Sequence, residues 1–243
     1  MSKRSIIKII FLNFFFPKYC ISCHKHGEYL CSNCKKTLTP HMEICPYCHR
    51  FSKNYETCID CKARKNNYLE GLIITFNYKD WLKKLILKLK YYHKKDIGNF
   101  LADRLNLIIQ TNEIIQNEIR NNKNNVLLTF VPSHRYRQYF VKGYNQSKIL
   151  SQILAKKIGL NFVDLLKKNR NTKSQTSLKR EKRLSNLENC FELKNDIKLK
   201  GNETILVVDD ITTTSSTLNE IAKTIKTAYP IAKIRGIVLG RHG

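Results

Sequence analysis

Two sets of side chains in this sequence are spaced for chemistry. The first is eight cysteines in four C-x-x-C pairs: Cys20/Cys23, Cys31/Cys34, Cys45/Cys48 and Cys58/Cys61. Each pair makes a tight knuckle that points two thiolates at one ion, and two knuckles complete the tetrahedral four-sulfur set preferred by Zn²⁺. Two Zn²⁺ bound in this way leave no open position for water or substrate, so their predicted role is structural. Coupling neighbours in order joins 20/23 with 31/34 and 45/48 with 58/61; crossed coupling fits the same spacing and stays open. His24, His26, His41 and His49 lie nearby, but eight thiolates already fill two sites.

The second set lies in ETILVVDDITTTSSTLNEIAKTIK, where an apolar run ends in Asp209 and Asp210 and passes through hydroxyl-bearing residues into a helical pattern. In an open α/β sheet, ligands bind at the carboxyl ends of the strands. Backbone N–H groups and the hydroxyls of Thr213, Thr214, Ser215, Ser216 and Thr217 can cradle a phosphate at a helix N-terminus, while the two carboxylates reach vicinal ribose hydroxyls or a metal. An ordinary capped helix would use the same Ser and Thr residues. It would leave the paired carboxylates without a purpose.

These sets need elements to position them. After Cys61 the run KARKNN reads as a linker, which predicts a cysteine-rich head over residues 1–66 and a second domain over 67–243. Strands are predicted at 71–78, 126–132, 161–166, 204–210 and 232–240, with helical periods between them. That alternation predicts an α/β fold with a mainly parallel sheet flanked by helices. Residues 78–95 form one amphipathic helical pattern, with Trp81, Leu82, Leu85, Ile86 and Leu89 on a core-facing stripe. Its seven lysines against the single Asp80 offer a phosphate-facing surface, on which Lys83, Lys84, Lys88, Lys90, Lys94 and Lys95 are the DNA-binding candidates. Residues 6–16 read as a short amphipathic helix packed on the protein, with peripheral membrane contact as the alternative. Cys190 reads as a core residue.

Composition limits the partners. The chain has 243 residues, and 44 Lys+Arg against 19 Asp+Glu give a formal charge of +25, which favours phosphate-bearing partners. The 42% hydrophobic share is too high for a disordered tail. The longest apolar run is too short to cross a bilayer. No Walker A sequence is present, so the chain carries no motif for ATP-driven translocation.

The sequence ILVVDDITTTSST resembles the phosphoribosyl-pyrophosphate (PRPP) signature of type I phosphoribosyltransferases. There an acidic pair holds the ribose hydroxyls and a T-T-G-x-T loop binds the 5-phosphate. The resemblance gives Asp209 and Asp210 the ribose role and Thr213, Thr214, Ser216 and Thr217 the phosphate role. Ser215 stands where that family has glycine, the residue that allows close backbone approach and positive φ. Purine-salvage members carry an aspartate general base where Thr213 stands, so no catalytic residue is assigned.

Two further segments, VPSHRYRQYFVKGYNQSKILSQILA and KNRNTKSQTSLKREKRLSNLENCF, resemble motifs of the ComF family. The resemblance implies a double zinc ribbon followed by a phosphoribosyltransferase-like domain, acting in the cytoplasm, at or near the inner face of the membrane, on single-stranded DNA imported during natural competence. It places a pyrophosphate loop at Arg135, Arg137, Lys142 and Gly143. A basic flap follows, with Arg170, Gln175, Arg183 and Asn186 as its site residues. The implied ligands are PRPP with Mg²⁺, single-stranded DNA and proteins of the DNA-uptake machinery. An active phosphoribosyltransferase that transfers a pentosyl group, and a non-catalytic PRPP-sensing regulator, are the alternatives.

Overall fold

The structure is a computed structural model that describes residues 18–92, 95–133, 144–170 and 187–242. Four apolar runs become strands: β1 (Gly71–Asn77), β2 (Val126–Phe130) and, further along the chain, β6 (Thr204–Thr212) and β7 (Lys233–Arg241). With the two-residue β3 (Asn161–Phe162) they form one sheet in the order β1-β7-β6-β2-β3. All of its pairings are parallel. Both faces of such a sheet must be covered, and these strands accordingly read as continuous apolar runs.

The predicted strand at 161–166 divides in two. Asn161 and Phe162 pair with Leu127 and Leu128, whereas β4 (Leu166–Lys168) pairs antiparallel with β5 (Phe191–Leu193) in a separate two-stranded sheet. Asp164 stands at the break, its carboxylate accepting from Lys148 Nζ and Lys194 Nζ at 2.7 Å each. These two ammonium groups hold its pKa below the ordinary range despite the opposing effect of burial. The short segment is thereby tied to helix and hairpin rather than extended along the sheet.

Helices α1 (Asp80–Tyr92), α2 (Lys95–Thr111) and α3 (Glu113–Asn122) lie between β1 and β2, α4 (Gln146–Ile158) between β2 and β3, and α5 (Ser216–Ala228) between β6 and β7. In α1 the predicted stripe is in the core: Leu82, Leu85, Ile86 and Leu89 are buried, and Trp81 meets Phe76 edge-on at 5.2 Å. Asn145 caps α4 by accepting from Lys148 N at 3.0 Å, and its amide donates to Val131 O, which locks the helix start onto the end of β2. Gly159 ends α4 at φ 68°, the left-handed position that glycine fills at little cost. Among the described residues, no helix is long and apolar enough to cross a membrane.

The cysteine-rich head lies against the β1 edge and on the α5 side. Pro40 bridges Phe76, Glu56 bridges Gly71, and Thr57 N donates to Glu70 O at 2.7 Å. Gly71 permits the close approach: a Cβ there would stand 2.6 Å from Tyr55 O. Arg235, 7% exposed on β7, is ion-paired to Glu56 of the head. KARKNN is not a free tether. Asn67 donates to Cys61 O, and Asn66 O accepts from Asn219 Nδ2 at 2.9 Å.

Candidate functional site at the carboxyl end of strand β6

β6 occupies the middle of the sheet, between β7 and β2. It runs two residues further than predicted, through Thr212, so Asp209 and Asp210 lie inside the last turn of the pleat. Ser147, at the start of α4, donates its hydroxyl to Asp209 Oδ1 at 2.9 Å, and the Asp210 amide donates to the same oxygen at 2.9 Å. Asp210 Oδ1 accepts from Ile211 N at 2.8 Å. Loss of water around the Asp209 carboxyl pushes its pKa up to about 8; the neighbouring Asp210 charge adds to the rise and the Ser147 bond opposes it. A carboxyl poised in this way can give up its proton when a cation or hydroxyl donors arrive.

Residues 213–215 bend away from the strand and α5 begins at Ser216. Thr214 Oγ1 and Ser216 Oγ lie 3.0 Å apart, and Ser215 N donates to Thr212 Oγ1 at 3.1 Å. Ser215 takes φ 59° and ψ 4°. This is the left-handed conformation in which the phosphoribosyltransferase pattern has glycine. The residue is 1% exposed, and its hydroxyl donates to Pro46 O of the head at 3.3 Å. The side chain that costs backbone freedom therefore gains a partner glycine could not have. The arrangement can do what the sequence suggested, presenting hydroxyls and a helix N-terminus beside two carboxylates.

Arg241 ends β7 in register with Thr212, and sequence reasoning missed it. It is 9% exposed, one of its nitrogens contacts His49 Nε2, and its Nη1 is buried without a hydrogen-bond partner. Burial lowers its pKa. A dehydrated guanidinium with a bare nitrogen beside the loop is suited to an anion. A basic residue closing the apolar run KIRGIVLGR was the available signal. Ser147 was also missed, although it directly follows the Asn145–Gln146 pair of the quoted motif.

The eight head cysteines form two tetrads in chain order, Cys20, Cys23, Cys31 and Cys34, then Cys45, Cys48, Cys58 and Cys61; within each, the sulfurs all lie within 4.8 Å of one another. The crossed coupling is thus excluded. Four converging thiols fit a tetrahedral metal such as Zn²⁺. The four nearby histidines are not members.

Other predicted site residues are placed less fully. Lys83 and Lys84 are exposed on α1 and Lys88 is half-buried, while the side chains of Lys90, Lys94 and Lys95 lie outside the described residues. Arg170 donates to Glu188 O and, at 3.4 Å, to Cys190 Sγ, holding the base of the β4–β5 hairpin. Arg135, Arg137, Lys142, Gly143, Gln175, Arg183, Asn186 and the amphipathic segment at 6–16 lie outside the described residues. A cavity of about 460 Å³, lined by residues including His41, Glu43, Tyr55, Arg104 and Ile108, lies between head and α2; neither site carboxylate lines it.

Comparison with known proteins agrees with this geometry. The family pattern described as "Phosphoribosyl transferase domain" matches residues 145–243, which contain β6, the loop and α5. "Competence protein F" of Haemophilus influenzae is 29% identical over 225 residues, 87% of this chain and 92% of that protein. "DNA utilization protein YhgH" of Escherichia coli K12 is 25% identical over 80% of this chain and 82% of its own, and the protein of that name from Salmonella typhimurium is 27% identical over the same shares. A cysteine-tetrad head, a parallel sheet and the acidic pair before a hydroxyl loop, together with these likenesses, support the resemblance to the ComF family of proteins with a phosphoribosyltransferase-like domain.

Proposed function

We propose that this protein handles single-stranded DNA taken up in natural transformation, and that the end of β6 holds PRPP or a related phosphorylated ligand. The observation that carries the ligand reading is the convergence of Asp209 and Asp210 with the hydroxyl loop at the start of α5 on the middle strand of a parallel sheet. Asp209 and Asp210 take the ribose hydroxyls. Thr213, Thr214, Ser216 and Thr217 take the 5-phosphate, through backbone N–H groups and hydroxyls, on the turn that Ser215 shapes. Arg135, Arg137, Lys142 and Gly143 hold the diphosphate, with Mg²⁺ arriving on the ligand, and Gln175, Arg183 and Asn186 close over it from a flap whose base Arg170 holds.

DNA runs across the basic surface that includes Lys83, Lys84, Lys88, Lys90, Lys94 and Lys95. The names of the relatives and the formal charge of +25 support this part. In this reading residues 1–66 are a double zinc ribbon, residues 67–243 are the phosphoribosyltransferase-like domain, and the protein works in the cytoplasm.

The test is single-stranded DNA binding at two salt concentrations, with and without PRPP·Mg²⁺, for the wild type and Asp209→Ala/Asp210→Ala. DNA binding should fall steeply with salt and survive the double substitution, while PRPP binding is lost. Absent or salt-insensitive DNA binding overturns the DNA reading. The rival is an active phosphoribosyltransferase. Release of diphosphate from PRPP in the presence of an acceptor base would establish it.

A further inference from the structure

Three of the four residues 46–49, in and just after the third C-x-x-C knuckle, touch the carboxyl end of the sheet, each at a different point. Pro46 O accepts the Ser215 hydroxyl at 3.3 Å. Tyr47 OH donates to Asn219 Oδ1 at 2.5 Å. His49 meets the guanidinium of Arg241. Cys45 and Cys48 bracket this short turn, and His49 N donates back to Cys45 O at 3.1 Å, so the turn's shape depends on the two sulfurs being drawn together.

Asn219 is the hub on the other side. Its Oδ1 also accepts from Tyr68 N at 2.9 Å, its Nδ2 donates to Asn66 O, and its backbone N donates to Ser215 O at 2.9 Å. Tyr47 OH in turn accepts from Leu69 N at 3.0 Å. Burial around this oxygen pushes the Tyr47 phenol up, so it remains a donor. The first turn of α5 is therefore held from outside by a knuckle that a metal would rigidify.

We propose that the Cys45–Cys48 knuckle sets the phosphate-binding conformation of residues 213–217, with Tyr47 and Ser215 as positioning residues. A metal on Cys45, Cys48, Cys58 and Cys61 tightens the loop for a phosphate-bearing ligand, and its loss loosens it. Ligand bound to the loop holds that metal more tightly in return, because coupling between two sites is reciprocal. The metal on the first tetrad has no such effect. The ligand half of this proposal rests on the PRPP reading above; the coupling of knuckle to loop does not.

The test measures hydrogen exchange at the Ser215 and Asn219 amides of the full zinc-loaded chain without ligand, together with bound zinc. Cys48→Ser should lose one of two zinc equivalents and exchange at these amides about tenfold faster, a factor typical of modest coupling. Tyr47→Phe should keep both zincs and melt only a few degrees lower, yet still exchange faster at these amides. Cys23→Ser should lose one zinc and leave these amides unchanged. Equal acceleration in Cys23→Ser, or unchanged exchange in Tyr47→Phe, overturns the coupling, and the latter decides even where Cys48→Ser does not fold.

A second arm titrates PRPP·Mg²⁺ into the wild type and Tyr47→Phe. Weaker binding by Tyr47→Phe supports the ligand half, and equal affinity overturns it. A wild type that binds no PRPP overturns the ligand reading and leaves the exchange result to judge the coupling.

Discussion

The two cysteine tetrads carry the same four ligands, yet they are fastened differently. Around the first, the described hydrogen bonds join head residues to one another, as in Cys31 N to Cys20 Sγ at 3.4 Å and Lys35 to Glu28 at 2.8 Å. Its contact with the body is apolar, through Ile21 and Leu30 in the core, and cationic, through Lys35 over the Phe100 ring. Around the second, polar bonds run from Pro46, Tyr47 and His49 into the loop, α5 and β7. Identical metal chemistry can thus serve two purposes, one stabilising a small module and the other transmitting its geometry to a site. What separates them is the residue before the second ligand of a knuckle: Tyr47 reaches Asn219, whereas Ser22 and Asn33, in the equivalent places of the first tetrad, are exposed.

The largest effect should come from removing a buried ligand of the second tetrad. Cys61→Ser should lower the melting temperature of the whole protein, at a cost of several kcal/mol (about 3–5 is the scale of losing a structural cross-link), while Cys34→Ser should lower only that of the head. Equal shifts of the main calorimetric transition would erase the difference between the tetrads. Next comes the anchor behind them. Glu56→Ala leaves the buried Arg235 with Glu118 alone, 3.8 Å away, and should destabilise by about 2 kcal/mol in chemical denaturation.

Smaller still, Ser215→Ala keeps the left-handed backbone and loses the bond to Pro46, for about 1 kcal/mol. Ser215→Gly loses the same bond but relieves the backbone, so it should lie close to the wild type. A glycine variant as unstable as the alanine one would show that the hydroxyl, not the conformation, matters at this position.

The last prediction concerns pH rather than a removed contact. Asp209 has a folded pKa of about 8 against an ordinary value of 3.8. Its contribution to stability is therefore fully present below about pH 4 and fades as the pH rises toward 8. Asp209→Asn, which mimics the protonated form, should melt with the wild type at pH 4 and above it at pH 8. Parallel melting curves across that range would place the carboxyl at an ordinary pKa.

Much of this site is legible in sequence because its parts are local. C-x-x-C spacing marks eight thiolates for two ions, though not which knuckles share one, and an apolar run ending in Asp209–Asp210 before a Thr/Ser loop marks a strand's carboxyl end whatever surrounds it. The amphipathic stripe of α1 is legible for the same reason. What escapes is long-range. Nothing near Tyr47 in sequence indicates Asn219, 172 positions away, and Ser147 meets Asp209 only because parallel strands bring the start of α4 beside β6. The break at Asp164 escaped likewise, since the lysines that hold it come from α4 and the end of β5. Ser215 reads as a mere departure from glycine until the head supplies its hydroxyl with an acceptor.

The most direct measurement is a calorimetric titration of PRPP·Mg²⁺ into the zinc-loaded protein near pH 7, in buffers of different ionisation enthalpy. The account predicts one saturable site that releases protons as Asp209 ionises, and no binding by Asp209→Asn/Asp210→Asn. Absence of binding in the wild type, or equal binding by the double variant, would contradict the assignment of the end of β6 as the phosphoribosyl site.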